Sequence, residues 1–129
     1  MKLSEMELDG WTLDDGVELH REFPATFWIP AIWRRYLLRR NQLVKLIFRI
    51  GLRDDQGEES VEVERMWVIV TRRSGWGRYE GVLDNDPVCT KGMAAGLALA
   101  FEARHVIQIY NKWMLEVVEE VRDARLDGG

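Results

Sequence analysis

The sequence predicts an α+β domain in which a curved antiparallel sheet of about four strands is flanked by a short helix and a longer C-terminal helix. Four stretches of the chain alternate apolar and polar residues at the two-residue period of a strand. Two further stretches repeat apolar residues at the spacing of a helix. The length of 129 residues fits one domain with a core of its own.

The chain begins with an acidic segment, residues 1–22, that carries a few scattered apolar side chains. Terminal segments without support from a sheet or a helix are often mobile. We therefore expect an acidic arm that packs loosely on the rest of the protein. Pro30 suits the first position of a helix, and residues 31–40 continue at helical spacing. The apolar face of this predicted helix consists of Ile32, Trp33, Tyr36 and Leu37.

The middle of the chain predicts a three-stranded antiparallel meander. Strands are expected at residues 43–52, 61–71 and 78–83, because apolar and polar side chains alternate there. The second of these strands is apolar on both faces around Trp67, which predicts burial on both sides. Two glycines flank Trp76 and permit a tight reversal into the third strand.

A polar corner ends the third strand, and it consists of Asp84, Asn85, Asp86 and Pro87. Asp and Asn side chains can bond their own backbone and proline has no donor, so this stretch is predicted to turn the chain. Residues 97–102 alternate again and predict a fourth strand, although the alanine-rich run 93–103 also suits a helix. The resulting sheet would form an SH3-like partial barrel in a domain that spans residues 23–109.

Residues 110–126 predict an amphipathic C-terminal helix, which with the last residues forms a separate segment, 110–129. Its apolar stripe consists of Tyr110, Trp113, Met114, Val117, Val118 and Val121. Two like-charge pairs, Glu116 with Glu120 and Glu119 with Asp123, each oppose the helix by roughly 0.2–0.5 kcal/mol. Packing against the domain or against a partner must offset that repulsion.

We expect the hydrophobic core to draw on the apolar faces of the sheet and of both helices. Its predicted members are Phe27, Ile32, Leu37, Leu46, Phe48, Ile50, Trp67, Ile69, Leu83, Leu99, Phe101, Val106, Trp113 and Val117. Trp67 is central to this expectation, because the prediction treats it as interior packing and not as part of a reaction site.

Six pieces of the sequence, at residues 27–30, 44–48, 64–71, 79–87, 96–101 and 105–107, occur in a recognisable order. The most specific is the pairing of the Arg-Met-Trp-Val strand with the Gly-x-Leu-Asp-Asn-Asp-Pro corner. Together they resemble a small bacterial family catalogued as domain of unknown function 2314. The resemblance covers about residues 23–109 and leaves out the acidic arm and the C-terminal helix. It implies a compact, mostly β domain, and it implies no activity.

Composition limits the classes of function. The net charge of −4 argues against nucleic-acid binding by bulk attraction. The single cysteine, Cys89, excludes an internal disulfide and fits a reducing compartment. We find no signal-peptide pattern at the N-terminus, and no window reaches the ~18 consecutive apolar residues of a membrane span. We therefore expect a cytoplasmic protein that does not enter a membrane.

Two groups of residues carry candidate chemistry. Asp84, Asn85 and Asp86 offer oxygen ligands for a hard cation, but the further spaced ligands of a calcium loop do not follow, so a structural corner is favoured. Asp84, Asp86, Cys89 and His105 supply the residue types for a small hydrolase or transferase. No flanking motif supports that set, and a lone cysteine is commonly a small buried residue. We expect no catalytic residue, no metal site and no cofactor.

A basic run extends from Arg34 to Arg53 without an acidic residue. Its cations are Arg34, Arg35, Arg39, Arg40, Lys45, Arg49 and Arg53. Trp33 and Tyr36 lie among them, so a face that stacks on single-stranded nucleic acid is one hypothesis. Acidic residues follow at positions 54–64, and cross-strand pairing with them is the favoured explanation.

Trp76, between two glycines at a hairpin tip, is hard to bury in the core and suits an interface anchor. Packing against the N-terminal arm is the alternative for this side chain. The candidate binding surface consists of Trp76, Arg72, Arg73, Arg78, Asp84, Asn85 and Asp86. The sequence thus favours a non-catalytic module that binds a protein partner, or a second copy through the C-terminal helix. A nucleic-acid binder and a small hydrolase or transferase are the alternatives.

Overall fold

A computed structural model gives the fold, and it describes residues 1–110. The predicted C-terminal helix at residues 110–126, with Trp113 and Val117, lies outside the described residues apart from Tyr110. The strands are β1 (Trp11–Leu13), β2 (Leu43–Arg53), β3 (Glu59–Gly75), β4 (Arg78–Leu83), β5 (Ala98–Glu102) and β6 (Gln108–Tyr110). The α-helices are α1 (Met6–Asp9), α2 (Gly16–Glu22) and α3 (Ile32–Tyr36), and a 3-10 turn covers Ala103–His105.

All strands belong to one antiparallel sheet with the order β1-β2-β3-β4-β5. Strand β6 also pairs with β2, next to the stretch of β2 that pairs with β1. The 3-10 turn after β5 brings the chain back to β2, where the Ile107 amide donates to the Lys45 carbonyl at 3.0 Å. The sheet therefore curls into a half-barrel. The predicted α+β class with a curved antiparallel sheet is confirmed, but the strand count of about four is too low.

The acidic N-terminal segment departs from the expected loose arm. Strand β1 lies within it and pairs with β2 through Trp11 opposite Ile50. Trp11 is buried, and its ring lies 5.4 Å from that of Phe48. Since three residues are too few to display a strand period, the sequence did not indicate this strand.

The long hairpin of β3 and β4 has the predicted turn, but its first strand extends further than expected. Strand β3 continues to Gly75, so only Trp76 and Gly77 form the loop. Gly77 has a φ of 66°, which a tight hairpin turn requires. The pairing of β3 with β4 shifts at two points, and these irregularities increase the local twist of the strand. Strands β4 and β5 lie where alternation predicted them, which settles residues 98–102 as strand.

The core lies inside the curl of the sheet. Its largest fully buried side chains are Tyr79, Phe48, Phe101, Leu46, Leu83, Val44, Val68, Val70 and Val106. Strand β3 contributes Met66 and Val68 to this core, whereas the predicted members Trp67 and Ile69 on its other face are half-buried. Burial of β3 on both faces is therefore only partial. Trp67 packs there against the ring of Tyr110, at 5.0 Å between centroids.

The helices are short and peripheral to the sheet. Helix α3 covers five residues, where the sequence predicted a helix over residues 31–40. Within residues 1–110, no helix combines the length and the apolar character needed to cross a membrane. Because α3 is only five residues long, contacts within the helix do little to determine which of its faces is buried.

Candidate functional site

An exposed apolar groove lies between α3 and the β3–β4 turn. It has a volume of about 440 Å³ and is lined by Ile32, Trp33, Tyr36, Leu37 and Trp76, which together we call the aromatic groove. The exposed fractions are 65% for Ile32, 64% for Trp33, 52% for Leu37 and 69% for Trp76. The prediction that Ile32 and Leu37 belong to the core is therefore wrong.

Helix α3 turns one of its two arginines inward. Arg35 is buried, with an exposed fraction of 6%. Its Nε donates to the Pro30 carbonyl at 3.0 Å and its Nη1 to the Ala103 carbonyl at 3.3 Å. A buried guanidinium is tolerated only when its donors are satisfied, and these two carbonyls lie on the inner side of α3. Because Arg35 turns inward, the apolar residues of α3 turn outward.

The hydroxyl group of Tyr79 fixes the chain that follows α3. It donates to the Arg35 carbonyl at 2.9 Å and accepts from the Leu38 amide at 3.3 Å. Its ring is fully buried and stacks on Phe101 at 5.4 Å. Burial raises the pKa of Tyr79, so the hydroxyl stays protonated and can donate. Strand β4 therefore fixes, through one side chain, the backbone on either side of Tyr36 and Leu37, which line the aromatic groove.

Trp76 forms the opposite wall of the groove. Its ring lies 5.3 Å from that of Tyr36 at an angle of 41°. The Arg73 guanidinium lies 5.0 Å from the Trp76 ring on another side, which is a cation–π contact. Tyr36 also covers Gly77 so closely that a Cβ atom there would lie 2.5 Å from the tyrosine ring. The two walls thus touch across Gly77, where the φ of 66° and the contact with Tyr36 disfavour any side chain.

Arginines border one side of the groove. A second depression of about 470 Å³ shares Trp33 and Leu37 with the aromatic groove. It is also lined by Arg34, Arg39 and Arg73, which we call the arginine rim. No acidic residue of the described chain lines either depression. The site therefore combines an apolar floor with positive charge along one edge.

The other predicted surface arginines pair within the fold. Arg72 lies 3.0 Å from Glu80, and Arg78 lies 3.9 Å from Glu102. These exposed pairs are individually worth little, but they partly neutralise the two cations. Of the three arginines predicted near the hairpin, Arg73 is the one that reaches the groove.

The basic run from Arg34 to Arg53 does not form a continuous face. Arg35 is buried, and the Lys45 ammonium lies 4.6 Å from the Trp67 ring. Arg49 binds both carboxylate oxygens of Asp14, at 2.9 and 3.1 Å, and this pair raises the pKa of Arg49. Arg53 pairs across the hairpin with Glu59. Among these cations, the cross-strand pairing favoured from the sequence holds for Arg53 alone, because Lys45 lies against a tryptophan ring and Arg49 finds its partner in the N-terminal segment.

The polar corner after β4 is held by its own side chains. The Asn85 amide oxygen accepts from the Trp67 amide at 2.6 Å, and an Asp86 carboxylate oxygen accepts from the Ala95 amide at 2.9 Å. Asp84 is exposed, and its amide donates to the Trp67 carbonyl. These contacts join the corner to β3 and to the loop before β5. Among residues 1–110, no group of three or more His, Cys, Asp or Glu side chains could hold a metal ion.

The residues considered for a reaction site make separate contacts. The Glu64 carboxylate accepts from the Cys89 amide at 3.2 Å, and burial together with this carboxylate raises the pKa of the thiol to about 11. His105 is buried in the 3-10 turn, where Nδ1 accepts from the Glu102 amide at 2.9 Å. Burial lowers the pKa of His105 to about 4. At neutral pH the thiol is thus protonated and the imidazole uncharged, and no hydrogen bond among residues 1–110 joins the two side chains.

The sequence indicated only part of the aromatic groove. Trp76 and Arg73 were among the predicted binding residues, whereas Ile32 and Leu37 were assigned to the core and Trp33 was considered only for stacking on nucleic acid. Apolar spacing shows that a helix has a stripe, but it does not show which way the stripe faces. The contacts that decide this come from Tyr79 and Ala103, which are distant in the sequence.

Comparison of the chain with models of protein families, with curated proteins and with solved structures found no match. The resemblance to the domain of unknown function 2314 therefore stays a prediction.

Proposed function

We propose that this protein is a non-catalytic binding module that takes an acidic amphipathic segment of a protein partner into the aromatic groove. The observation that carries the proposal is the contiguous exposure of Ile32, Trp33, Leu37 and Trp76 around one concave surface. Single exposed apolar residues are ordinary, but a contiguous patch with polar borders is typical of an interaction site.

The residue types suit an interface anchor. Tryptophan and tyrosine are enriched among the residues that dominate binding energy, and they act best at the centre of a recessed site. Trp33, Tyr36 and Trp76 line the same groove. A partner that packs apolar side chains against these rings would remove much of their exposed surface from water.

The groove is organised before a partner arrives. Tyr79 fixes the residues after α3, and Tyr36 packs over Gly77 and against Trp76. Binding to an ordered surface avoids the entropy loss of roughly 0.5–1.5 kcal/mol for each side chain that would otherwise become immobilised. This favours recognition by the groove as it stands.

The arginine rim favours an acidic partner. Arg34, Arg39 and Arg73 lie along one border of the apolar floor, and no acidic lining residue of the described chain opposes them. Complementary charge increases the rate of association and excludes partners of the same sign. An amphipathic helix with apolar residues at positions i, i+3, i+4 and i+7 and with acidic flanks would match both features.

The test measures binding of the full chain to a designed helical peptide with leucine and tryptophan at those positions and glutamate elsewhere. We expect Trp76→Ala to weaken binding about 30-fold, as expected for loss of an anchor worth ~2 kcal/mol. Trp28→Ala is the matched control, because Trp28 has an exposed fraction of 78% but does not line the groove. Both substitutions should leave the free energy of unfolding nearly unchanged.

A second peptide, in which lysine replaces each glutamate, tests the role of the rim. We expect the wild-type protein to bind the lysine peptide more weakly than the acidic peptide. The difference in affinity between the two peptides should be smaller for the Arg73→Glu variant. Equal affinity of wild type, Trp76→Ala and Trp28→Ala for the acidic peptide would refute the proposal.

A further inference from the structure

Resting on the proposed function, we infer that residues 111–129 of the same chain are an intramolecular ligand of the aromatic groove. An external partner must then displace this segment before it can bind. The inference depends on where strand β6 ends, on the apolar pattern of the segment and on its charge.

Strand β6 delivers the chain to the border of the groove. Ile109 lines the second depression together with Trp33 and Arg34. Tyr110 pairs with Leu43, the first residue of β2, and so lies close to the link that leads from α3 into the sheet. The segment therefore starts beside the site and needs no linker to reach it.

The segment has the apolar pattern that a groove binds. Trp113, Val117 and Val121 follow one another at intervals of four residues, and Met114 and Val118 broaden the stripe. This matches the anchors of an amphipathic helix laid into an apolar groove. A stripe of this kind is unfavourable in water and requires an apolar surface to cover it.

The charge of the segment complements the arginine rim. Glu116, Glu120 and Asp123 recur at positions i, i+4 and i+7, so helical spacing gives them one common flank. The repulsion between such neighbours opposes the helix. Attraction between these carboxylates and the arginine rim would offset the repulsion between the carboxylates.

The connection through β6 gives the segment an advantage over a free peptide. A ligand attached by a short connection has an effective concentration in the millimolar range. Even weak intrinsic affinity would then keep the groove occupied for most of the time. The apparent affinity for a partner is then the intrinsic affinity multiplied by the fraction of molecules in which the groove is open.

The contact can be measured directly in the full chain with a nitroxide attached at Glu119→Cys in a Cys89→Ser background. We expect the indole signals of Trp33 and Trp76 to be lost from the nitrogen-15 spectrum, and Val117→Asp to restore them. Leu126→Asp adds the same charge outside the apolar stripe and should not restore them. Signals lost only when labelled protein is mixed with a nitroxide-bearing copy would show exchange between molecules and overturn the intramolecular inference.

The acidic peptide of the previous section separates the inference from the function on which it rests. We expect Val117→Asp to increase peptide affinity about tenfold, as for a groove that is closed in about nine molecules of ten. Because Trp76→Ala also weakens binding of the segment, its full loss of about 30-fold is measured in the Val117→Asp background, where the segment does not compete. Equal affinity of wild type and Val117→Asp, with binding still lost in Trp76→Ala, would overturn the inference and leave the function intact. If no variant binds the peptide while the indole signals are still lost, the segment packs on the groove but the proposed function is refuted. Full intensity of the Trp33 and Trp76 indole signals in the nitroxide-labelled chain refutes the inference, whether or not the peptide binds.

Discussion

Replacement of Tyr79 by phenylalanine removes a single oxygen atom. We expect this change to destabilise the backbone at the end of α3, which carries Tyr36 and Leu37 of the aromatic groove. That oxygen donates to the Arg35 carbonyl and accepts from the Leu38 amide, at 2.9 and 3.3 Å. Both bonds are buried, and they join strand β4 to the last turn of α3 and to the second residue after it. No other side chain of the described residues bonds either backbone group.

The expected loss of stability follows from the two backbone groups that are left without partners. A buried donor or acceptor that loses its partner costs roughly 1–3 kcal/mol. The Leu38 bond is long, so its share should lie at the lower end of that range. We expect Tyr79→Phe to reduce the free energy of unfolding by about 2–4 kcal/mol and the melting temperature by on the order of 10 °C.

Urea denaturation of Tyr79→Phe and Tyr36→Phe measures this difference against a matched control. Tyr36 lines the groove, but none of the described residues hydrogen-bonds to its hydroxyl, so its replacement should change stability by no more than ~0.5 kcal/mol. Amide exchange at Leu38 should accelerate in Tyr79→Phe alone. Equal stability of the two variants would refute the view that this hydroxyl holds the groove in place.

Two further predictions concern the rest of the fold. The pKa of His105 is about 4 in the folded protein and near 6.5 in the unfolded chain, so the unfolded chain binds more protons between these pH values. The free energy of unfolding should therefore fall by about 3 kcal/mol as the pH falls from about 6.5 to 4. Urea denaturation at several pH values should show a flatter profile for His105→Gln, and an unchanged profile would contradict the assignment. Gly81→Ala should destabilise by roughly 1–3 kcal/mol or more, because its Cβ would lie 2.6 Å from the Ile69 carbonyl oxygen, which the sheet holds in place. Gly92→Ala, whose Cβ would meet its nearest atom at 3.4 Å, is the control for thermal melting, and equal losses would contradict the steric argument.

Strands were the most predictable part of the fold, because alternation is a local property of the chain. Strand β4 has the predicted limits, and β5 begins one residue later than predicted. A glycine inside a strand, as at position 81, suggests a bulge or a close backbone approach, and here β3 passes directly beside it. Strand β1 could not be predicted in the same way, because its existence depends on an edge of β2 that is distant in the sequence.

The site was less predictable than the fold, and the reason is physical. Trp76 was identified because a large aromatic residue at a two-residue turn has few neighbours to cover it. Ile32 and Leu37 were assigned to the core because they follow a helical period, and that period does not show which way the apolar face points. The direction depends on whether Arg35 finds carbonyl partners inside, and those partners come from Pro30 and from Ala103.

The orientation of α3 is itself an argument for a binding surface. Burying one large apolar side chain stabilises a protein by about 1.5–3 kcal/mol, so a rotation that turned Trp33 and Leu37 inward in place of Arg35 would bring a substantial gain. The observed fold forgoes that gain and holds the unfavourable orientation with bonds from Arg35 and Tyr79. Natural proteins commonly give up stability where a surface is needed for function. A ligand that covers the aromatic groove recovers the free energy that the isolated domain leaves exposed to water, whether the ligand is a partner or residues 111–129.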